Sequence, residues 1–188
     1  MGKLIIVSAP SGSGKTTIVN HLVKQNLNLA FSVSATNRQP RKGEVDKINY
    51  LFLTEREFKK RINNNEFLEW EEVYKGIYYG TLKSEVDKIR ESGKNIIFDV
   101  DVTGGLNIKK LYGKEALAIF VKPPSINVLK ERLEKRSTES SDKIAMRLKK
   151  AEQELLFAEK FDPVIINDDM QIALQEAESL ISSFISDN

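Results

Sequence analysis

Leu4-Ile5-Ile6-Val7-Ser8-Ala9-Pro10-Ser11-Gly12-Ser13-Gly14-Lys15-Thr16-Thr17 passes from an apolar strand through a glycine-rich turn into a helix start, and that passage decides the fold. Glycines let the backbone turn its N–H groups inward around a polyphosphate, Lys15 adds a point charge at the β- and γ-phosphates, and the Thr16 hydroxyl is a direct Mg²⁺ ligand. The helix opening at Lys15 aims its positive end at the same anion. The whole turn, Ala9, Pro10, Ser11, Gly12, Ser13, Gly14, Lys15, Thr16 and Thr17, is the expected ATP seat. It departs from the pattern G-x-x-x-x-G-K-[ST] at one place, Ala9, where a glycine is usual.

Outward from this loop, the chain alternates short apolar runs with amphipathic stretches. Residues 95–100, 116–121 and 163–167 are continuous apolar runs like 4–8, and each is followed by a helical pattern, which predicts a parallel sheet covered on both faces. The spacing predicts helices over 16–25, over 125–136 with Val128, Leu129 and Leu133 on one stripe, and over 142–161 with Ile144, Leu148, Ala151, Leu155 and Ala158 in line. From Phe31 to Arg90 the composition turns polar and aromatic. Thr54-Glu55-Arg56-Glu57 is a capping box for a helix through Ile62, and 67–74 reads as a strand. The expected plan is α/β: a core from 1–32 and 91–188, and an inserted subdomain over 33–90. The polar segment from Arg136 to Asp142 is a lid, extending to about 147, or a plain surface connector.

Composition narrows the function. The chain has 188 residues, 40% hydrophobic and 30% charged, which suits one α/β domain with an insertion. Lys+Arg of 29 against Asp+Glu of 27 leaves a net charge of +2, so no general nucleic-acid or membrane-surface binding is expected. The absence of cysteine excludes thiol catalysis and fits a reducing compartment. The four apolar residues before Ser8 are too few for a signal peptide, and no run approaches the ~18 needed to span a bilayer, so a cytoplasmic protein is expected.

A second anion grip lies in the insert, at Ser32-Val33-Ser34-Ala35-Thr36-Asn37-Arg38-Gln39-Pro40-Arg41-Lys42-Gly43-Glu44. Arg38 and Arg41, held by a proline turn, form a multi-donor grip for a second phosphate, or else a solvated basic loop. Tyr50, Glu69, Tyr79 and Thr81 follow at intervals that suit a nucleoside monophosphate. Asp99 and Asp101 share one face at the carboxyl end of a strand, where open α/β sheets bind ligands, unless both merely cap the next helix. Arg132 and Arg136 lie one helical turn apart beside the polar loop, and Arg147 faces it from the following helix. They are lid arginines or solvated charges paired with Glu134, Glu139 or Glu152. His21 has no partners at metal spacing. Trp70 reads as insert core, and Phe157 and Phe161 as helix-to-sheet packing.

These motifs, with Glu66-Phe67-Leu68-Glu69-Trp70, Tyr78-Tyr79-Gly80-Thr81, Asp99-Val100-Asp101-Val102-Thr103-Gly104 and Asn167-Asp168-Asp169, occur in the order found in guanylate kinases, and the chain resembles that family throughout. The resemblance implies a P-loop NTPase core with a parallel sheet flanked by helices, a mixed GMP-binding subdomain and a short helical lid. It implies transfer of the ATP γ-phosphoryl to GMP, and dGMP as a further acceptor, with Mg²⁺ carried as MgATP. By similarity, Arg38, Arg41, Tyr50 and Tyr79 hold the GMP phosphate, while Ser34, Glu69, Thr81 and Asp101 surround the guanine. Asp99 sits near the lysine and the metal, reaching it through water. Arg132 and Asn167 belong to the ATP side, and Lys15, Arg38, Arg136 and Arg147 are the catalytic cations. Ser137 replaces a glycine common in the family's lid. Thr81 keeps the hydroxyl of the family's usual serine.

Glu69 has a physical reading of its own: guanine presents N1–H and N2–H₂ side by side to a carboxylate, whereas adenine offers an unprotonated N1. Two other classes were weighed. Guanylate-kinase-like scaffold modules bind proteins and typically have damaged phosphate loops, whereas Gly14, Lys15 and Thr16 are intact here. The Asp101-x-x-Gly104 element mimics a GTPase switch, yet no Asn-Lys-x-Asp signature follows. No nucleic acid or membrane partner is expected, and the sequence leaves monomer and homo-oligomer open. Two ligand grips hinged to one sheet predict closure by several ångströms when both sites fill. Small-angle scattering with and without a bisubstrate analogue checks this; unchanged dimensions refute the hinge.

Overall fold

The computed structural model describes residues 2–136 and 141–187, without the side chain of Arg136. The elements in chain order are β1 (Leu4–Ser8), α1 (Lys15–Leu22), β2 (Leu29–Phe31), β3 (Ala35–Thr36), β4 (Leu51–Phe52), α2 (Glu55–Asn63), β5 (Phe67–Tyr74), β6 (Ile77–Leu82), α3 (Lys83–Glu91), β7 (Asn95–Asp99), α4 (Val102–Tyr112), β8 (Ala116–Lys122), α5 (Ile126–Arg136), α6 (Ser141–Leu155), β9 (Val164–Ile166) and α7 (Met170–Ser186). Five strands form a parallel sheet in the order β2-β7-β1-β8-β9. β1 is central, and every one of its residues is buried. A strand covered on both faces must be apolar throughout, which explains its unbroken run.

Alternate residues of that sheet feed two cores. Leu4, Ile6, Ile96, Phe98, Ala118 and Phe120 pack beneath α3 and α4 through Val86, Ile89 and Ile108. Ile5, Val7, Ile97, Ile119 and Val121 pack beneath α1 and α7 through Ile18, Leu22, Ala177 and Ile181. β2 has no counterpart in the sequence reading, because three half-buried residues at a sheet edge carry no periodic signal. The helix expected over 142–161 stops at Leu155, where Leu156 and Phe157 N–H groups turn to the carbonyls three residues back. Its last stretch is a 3₁₀ turn at Ala158–Lys160. Phe161 is buried against Phe120, at 5.2 Å between ring centroids, but Phe157 is exposed beneath Lys160 and is not sheet packing. The first helix likewise stops at Leu22, short of the expected 25.

The second sheet, β4-β3-β6-β5, is mixed: β3 and β4 are parallel, while β6 runs antiparallel to both β3 and β5. α2 is closed by the capping box read from Thr54 and Glu57. It supplies Phe58, which is fully buried and stacked on Phe67 at 4.4 Å and on Tyr78 at 5.6 Å. β5 is irregular between Phe67 and Glu69, where its register against β6 slips. That bulge separates two faces. Phe67, Trp70 and Tyr78 belong with α2, whereas Glu69, Glu71 and Tyr79 turn to the opposite side. Trp70 lies on the α2 side against Tyr78, half-exposed and outside the buried cluster that the sequence suggested for it.

Phe58→Ala empties the centre of this small core and should destabilise the protein by about 3–5 kcal/mol. Urea unfolding checks it; a loss under about 1 kcal/mol would mean the second sheet is held by other contacts.

Candidate functional site

The loop after β1 is shaped by two glycines at φ +97°, Gly12 and Gly14. A Cβ on Gly12 would press on Leu133 and Leu129 of α5, and one on Gly14 would overlap the Asn167 side-chain nitrogen. Neither position tolerates a side chain, by conformation or by space. Ala9 has no positive φ and is buried in the core below the sheet, so the missing glycine leaves the loop intact. Asn167 is buried and braces the loop from behind, its Nδ2 donating to the Ser13 carbonyl at 2.7 Å. Arg132 donates in turn to the Asn167 carbonyl at 2.9 Å. Neither is among the residues that line the cleft.

β7 ends at Asp99, opposite Val7 and one residue short of the end of β1, and this sets Asp99 beside the loop. Lys15 Nζ pairs with Asp99 Oδ1 at 2.6 Å and donates to the Val100 carbonyl at 2.8 Å. Asp101 is the N-cap of α4, accepting from the Gly104 N–H at 2.7 Å, so the capping reading holds for Asp101 but not for Asp99. A Cβ on Gly104 would stand 2.6 Å from Glu69 Oε2 and 3.1 Å from Asp101 Oδ1. The absent side chain is the room in which the two carboxylates converge. Glu69 is buried and accepts from the Thr81 hydroxyl at 2.7 Å. Burial raises the Glu69 carboxyl to about 7, with Thr81 opposing the shift and the nearby Asp101 charge adding to it.

Arg38 is more committed than its sequence position indicates. Its Nη atoms hold both Glu44 oxygens at 2.6 and 2.7 Å, its Nε donates to the Tyr79 hydroxyl at 2.9 Å, and its plane lies over Tyr50 at 4.9 Å. The Arg38 hydrogen bonds hold the Glu44 carboxyl down at about 2. Tyr50 is raised by burial, with the Asp99 charge adding to it, and stays a neutral donor. Arg38 thus ties the 38–44 loop to Tyr79, while Arg41 lines the cleft. Glu44 is the partner of Arg38 and has no counterpart among the residues expected from sequence. Its signal is the repeated spacing Arg38-x-x-Arg41-x-x-Glu44.

Between the two sheets runs a cleft of about 670 Å³, bordered by the loop, Ser34, Arg41, Tyr50, Glu69, Tyr79, Asp99 and Asp101. A volume of this order suits a nucleotide-sized ligand. α6 closes one side with Lys143, Arg147 and Lys150, and Arg147 donates to the Ser11 hydroxyl. Lys143, Lys150, Glu71 and Glu154 were not singled out from sequence. Glu154 is raised chiefly by burial. The Arg136 side chain and Ser137 lie outside the described residues. For a cation, Thr16 and Asp99 offer oxygen donors on the cleft wall, and no group of three or more His, Cys, Asp or Glu surrounds a metal among the described residues. Few protein oxygens beside a phosphate seat suit Mg²⁺, which keeps water and phosphate ligands.

Comparison with known proteins agrees with this geometry. The guanylate kinase family model matches residues 1–184. The chain is 58% identical over 185 residues to the guanylate kinase of Bacteroides thetaiotaomicron, covering 98% of this chain and 91% of that protein. It is 51% identical to the guanylate kinase of Porphyromonas gingivalis, covering 99% of this chain and 100% of that one. A crystal structure of guanylate kinase from Anaplasma phagocytophilum superposes with a TM-score of 0.79 at 27% identity, over 98% of this chain and 87% of that chain.

The raised Glu69 carboxyl has a signed consequence. The folded state holds this proton more tightly than the unfolded chain, so its contribution to stability is full below about 4.5 and is lost as pH rises through about 7. Glu69→Gln should flatten that part of the stability–pH curve measured by urea unfolding, and Thr81→Val should move it to higher pH. An unaltered curve in Glu69→Gln would place the titration elsewhere.

Proposed function

This chain belongs to the guanylate kinase family, and on that premise we propose that its cleft transfers the γ-phosphoryl group of ATP to GMP, giving ADP and GDP. One observation carries the reading: the loop ending in Lys15 and the buried, hydroxyl-supported carboxylate of Glu69 open onto the same cleft. A phosphate grip alone is common to many NTPases. A carboxylate that accepts two adjacent donors from a base adds the choice of guanine.

ATP lies along residues 9–17, with its phosphates on the loop N–H groups, and Arg132 and Asn167 act on it through the loop they brace. When the phosphates arrive, Lys15 exchanges the Val100 carbonyl for phosphate oxygens. Thr16, and Asp99 through water, would hold Mg²⁺, which would supply positive charge at the phosphates. GMP places its base among Ser34, Glu69, Thr81 and Asp101. Its phosphate meets Arg41 and the hydroxyls of Tyr50 and Tyr79, with Arg38 behind them as orienting charge.

A GMP phosphate oxygen, already ionised, attacks the γ-phosphorus in line; one P–O bond forms as the β–γ bridging P–O bond breaks, and ADP leaves. No strong base is needed. Lys15 and Arg147 stabilise the equatorial oxygens, and α6 excludes water. Arg136 joins them as a lid arginine on the sequence argument alone. Residues 33–90 form the acceptor unit and 136–147 the lid, against a core of 1–32 and 91–188; α3, inside the first range, packs on the core. A cytoplasmic location completes the proposal and rests on the cysteine-free composition.

A coupled phosphotransfer assay across GMP, AMP, UMP and CMP tests it. GMP should exceed AMP by about a hundredfold or more, since the wrong base leaves the Glu69 carboxylate unpaired. Lys15→Ala should stay folded and lose about a hundredfold or more of the rate. Absence of GDP formation by the folded wild-type protein overturns the reading.

A further inference from the structure

Glu71 has no part in the scheme above, yet it is a carboxylate on the cleft wall. β5 sets it directly opposite Tyr79 in the β6 register, two residues beyond Glu69 and on the same side of the bulge. Its Oε2 is shielded from solvent and has no hydrogen-bond partner among the described residues. The neighbouring Glu72 points to the other face, where it accepts from the Gly76 N–H at 2.6 Å. A shielded carboxylate oxygen without a donor is costly, and one lining a ligand cleft calls for a donor that the ligand brings.

The position identifies that donor. Glu69 meets the base and the Tyr79 hydroxyl meets the phosphate, and the sugar of a nucleoside monophosphate joins the two. Glu71 is one pleat repeat from Glu69, about 7 Å along the strand. Its carboxylate is then level with the sugar, whose vicinal hydroxyls are paired donors. The cations across the cleft are poorer candidates. Arg147 is held by Ser11, and Lys150 lies over Tyr74 at 5.7 Å with Glu154 at 3.8 Å. Lys143 remains as the competing partner.

We infer that Glu71 accepts hydrogen bonds from the ribose hydroxyls of the bound nucleoside monophosphate and so sets a preference for the ribonucleotide over its 2′-deoxy counterpart. The inference rests on the GMP-kinase reading and deepens it: dGMP remains an acceptor, but a poorer one. Glu71 is a specificity residue and touches no reacting atom.

The test measures kcat/KM for GMP and dGMP, at saturating MgATP, in the wild type, Glu71→Ala and Glu71→Gln. The wild type should favour GMP by about tenfold, the worth of a hydrogen bond to a charged acceptor. Glu71→Ala should bring the ratio near one by losing GMP turnover while dGMP turnover stays within about twofold, and Glu71→Gln, which keeps an acceptor oxygen, should fall between. Because the ratio is taken within each protein, a loss of folded enzyme cancels. A wild-type ratio near one overturns the inference, as does an equal loss on both nucleotides in Glu71→Ala, the result expected of a cross-cleft pair with Lys143. Either result leaves the kinase reading standing, whereas failure of that reading shows as no turnover of GMP at all.

Discussion

The parallel pairing of β1 with β7 is the constraint on which the cleft depends. The two strands end within one residue of each other, so the phosphate loop leaving one and Asp99 closing the other are neighbours without any further adjustment. The ion pair of Lys15 with Asp99 follows from that register. So does the position of Asp101, one strand step on, where it caps α4 and turns a carboxylate toward Glu69. A shift of one residue in the pairing would turn these side chains to opposite faces. The buried, apolar character of both strands resists such a shift, because every residue of β1 would exchange one core for the other.

The cleft walls carry charge in two arrangements with different purposes. Arg38 and Glu44 neutralise each other in a bidentate pair and hold a loop and a phenol in place. That pair is architecture. Glu69 has a hydroxyl and a second carboxylate beside it and no paired cation among the described residues, and burial raises its proton affinity. A carboxyl in that state can give up its proton and accept from two neutral donors, the chemistry that the proposed recognition of guanine asks of it. Buried charge is tolerated in the first case because it is paired, and in the second burial favours the neutral carboxyl.

The main features of the sheet were legible because each has a strong local cause. Continuous apolar runs announce strands covered on both faces, and 4–8, 95–100 and 116–121 lie within a residue of β1, β7 and β8. The capping box at Thr54 is a local hydrogen-bond pattern and appears as read. What escaped notice is non-local. β2 exists only because β7 offers it an edge, and the early end of α6 reflects how the following turn returns Phe161 to the core. The same holds at the cleft. The phosphate loop is a local motif, whereas the commitment of Arg38 to Glu44 and the bracing of the loop by Asn167 join residues that composition and spacing cannot pair. At Ala9, where the motif departs from glycine, the backbone has no positive φ and the residue is buried.

The irregularity in β5 divides the strand into a side that packs on α2 and a side that faces the cleft. Phe67 and Trp70 lie with α2, while Glu69, Glu71 and Val73 line the cleft. Exchange of a residue on the second side changes the lining of the cleft without disturbing the packing of the first. A single strand can therefore drift toward a new acceptor by small steps, each compatible with a folded chain. Leu68, the one extra residue, leaves that alternation and packs against the core of the larger sheet, so the bulge also fastens the smaller sheet to the parallel one.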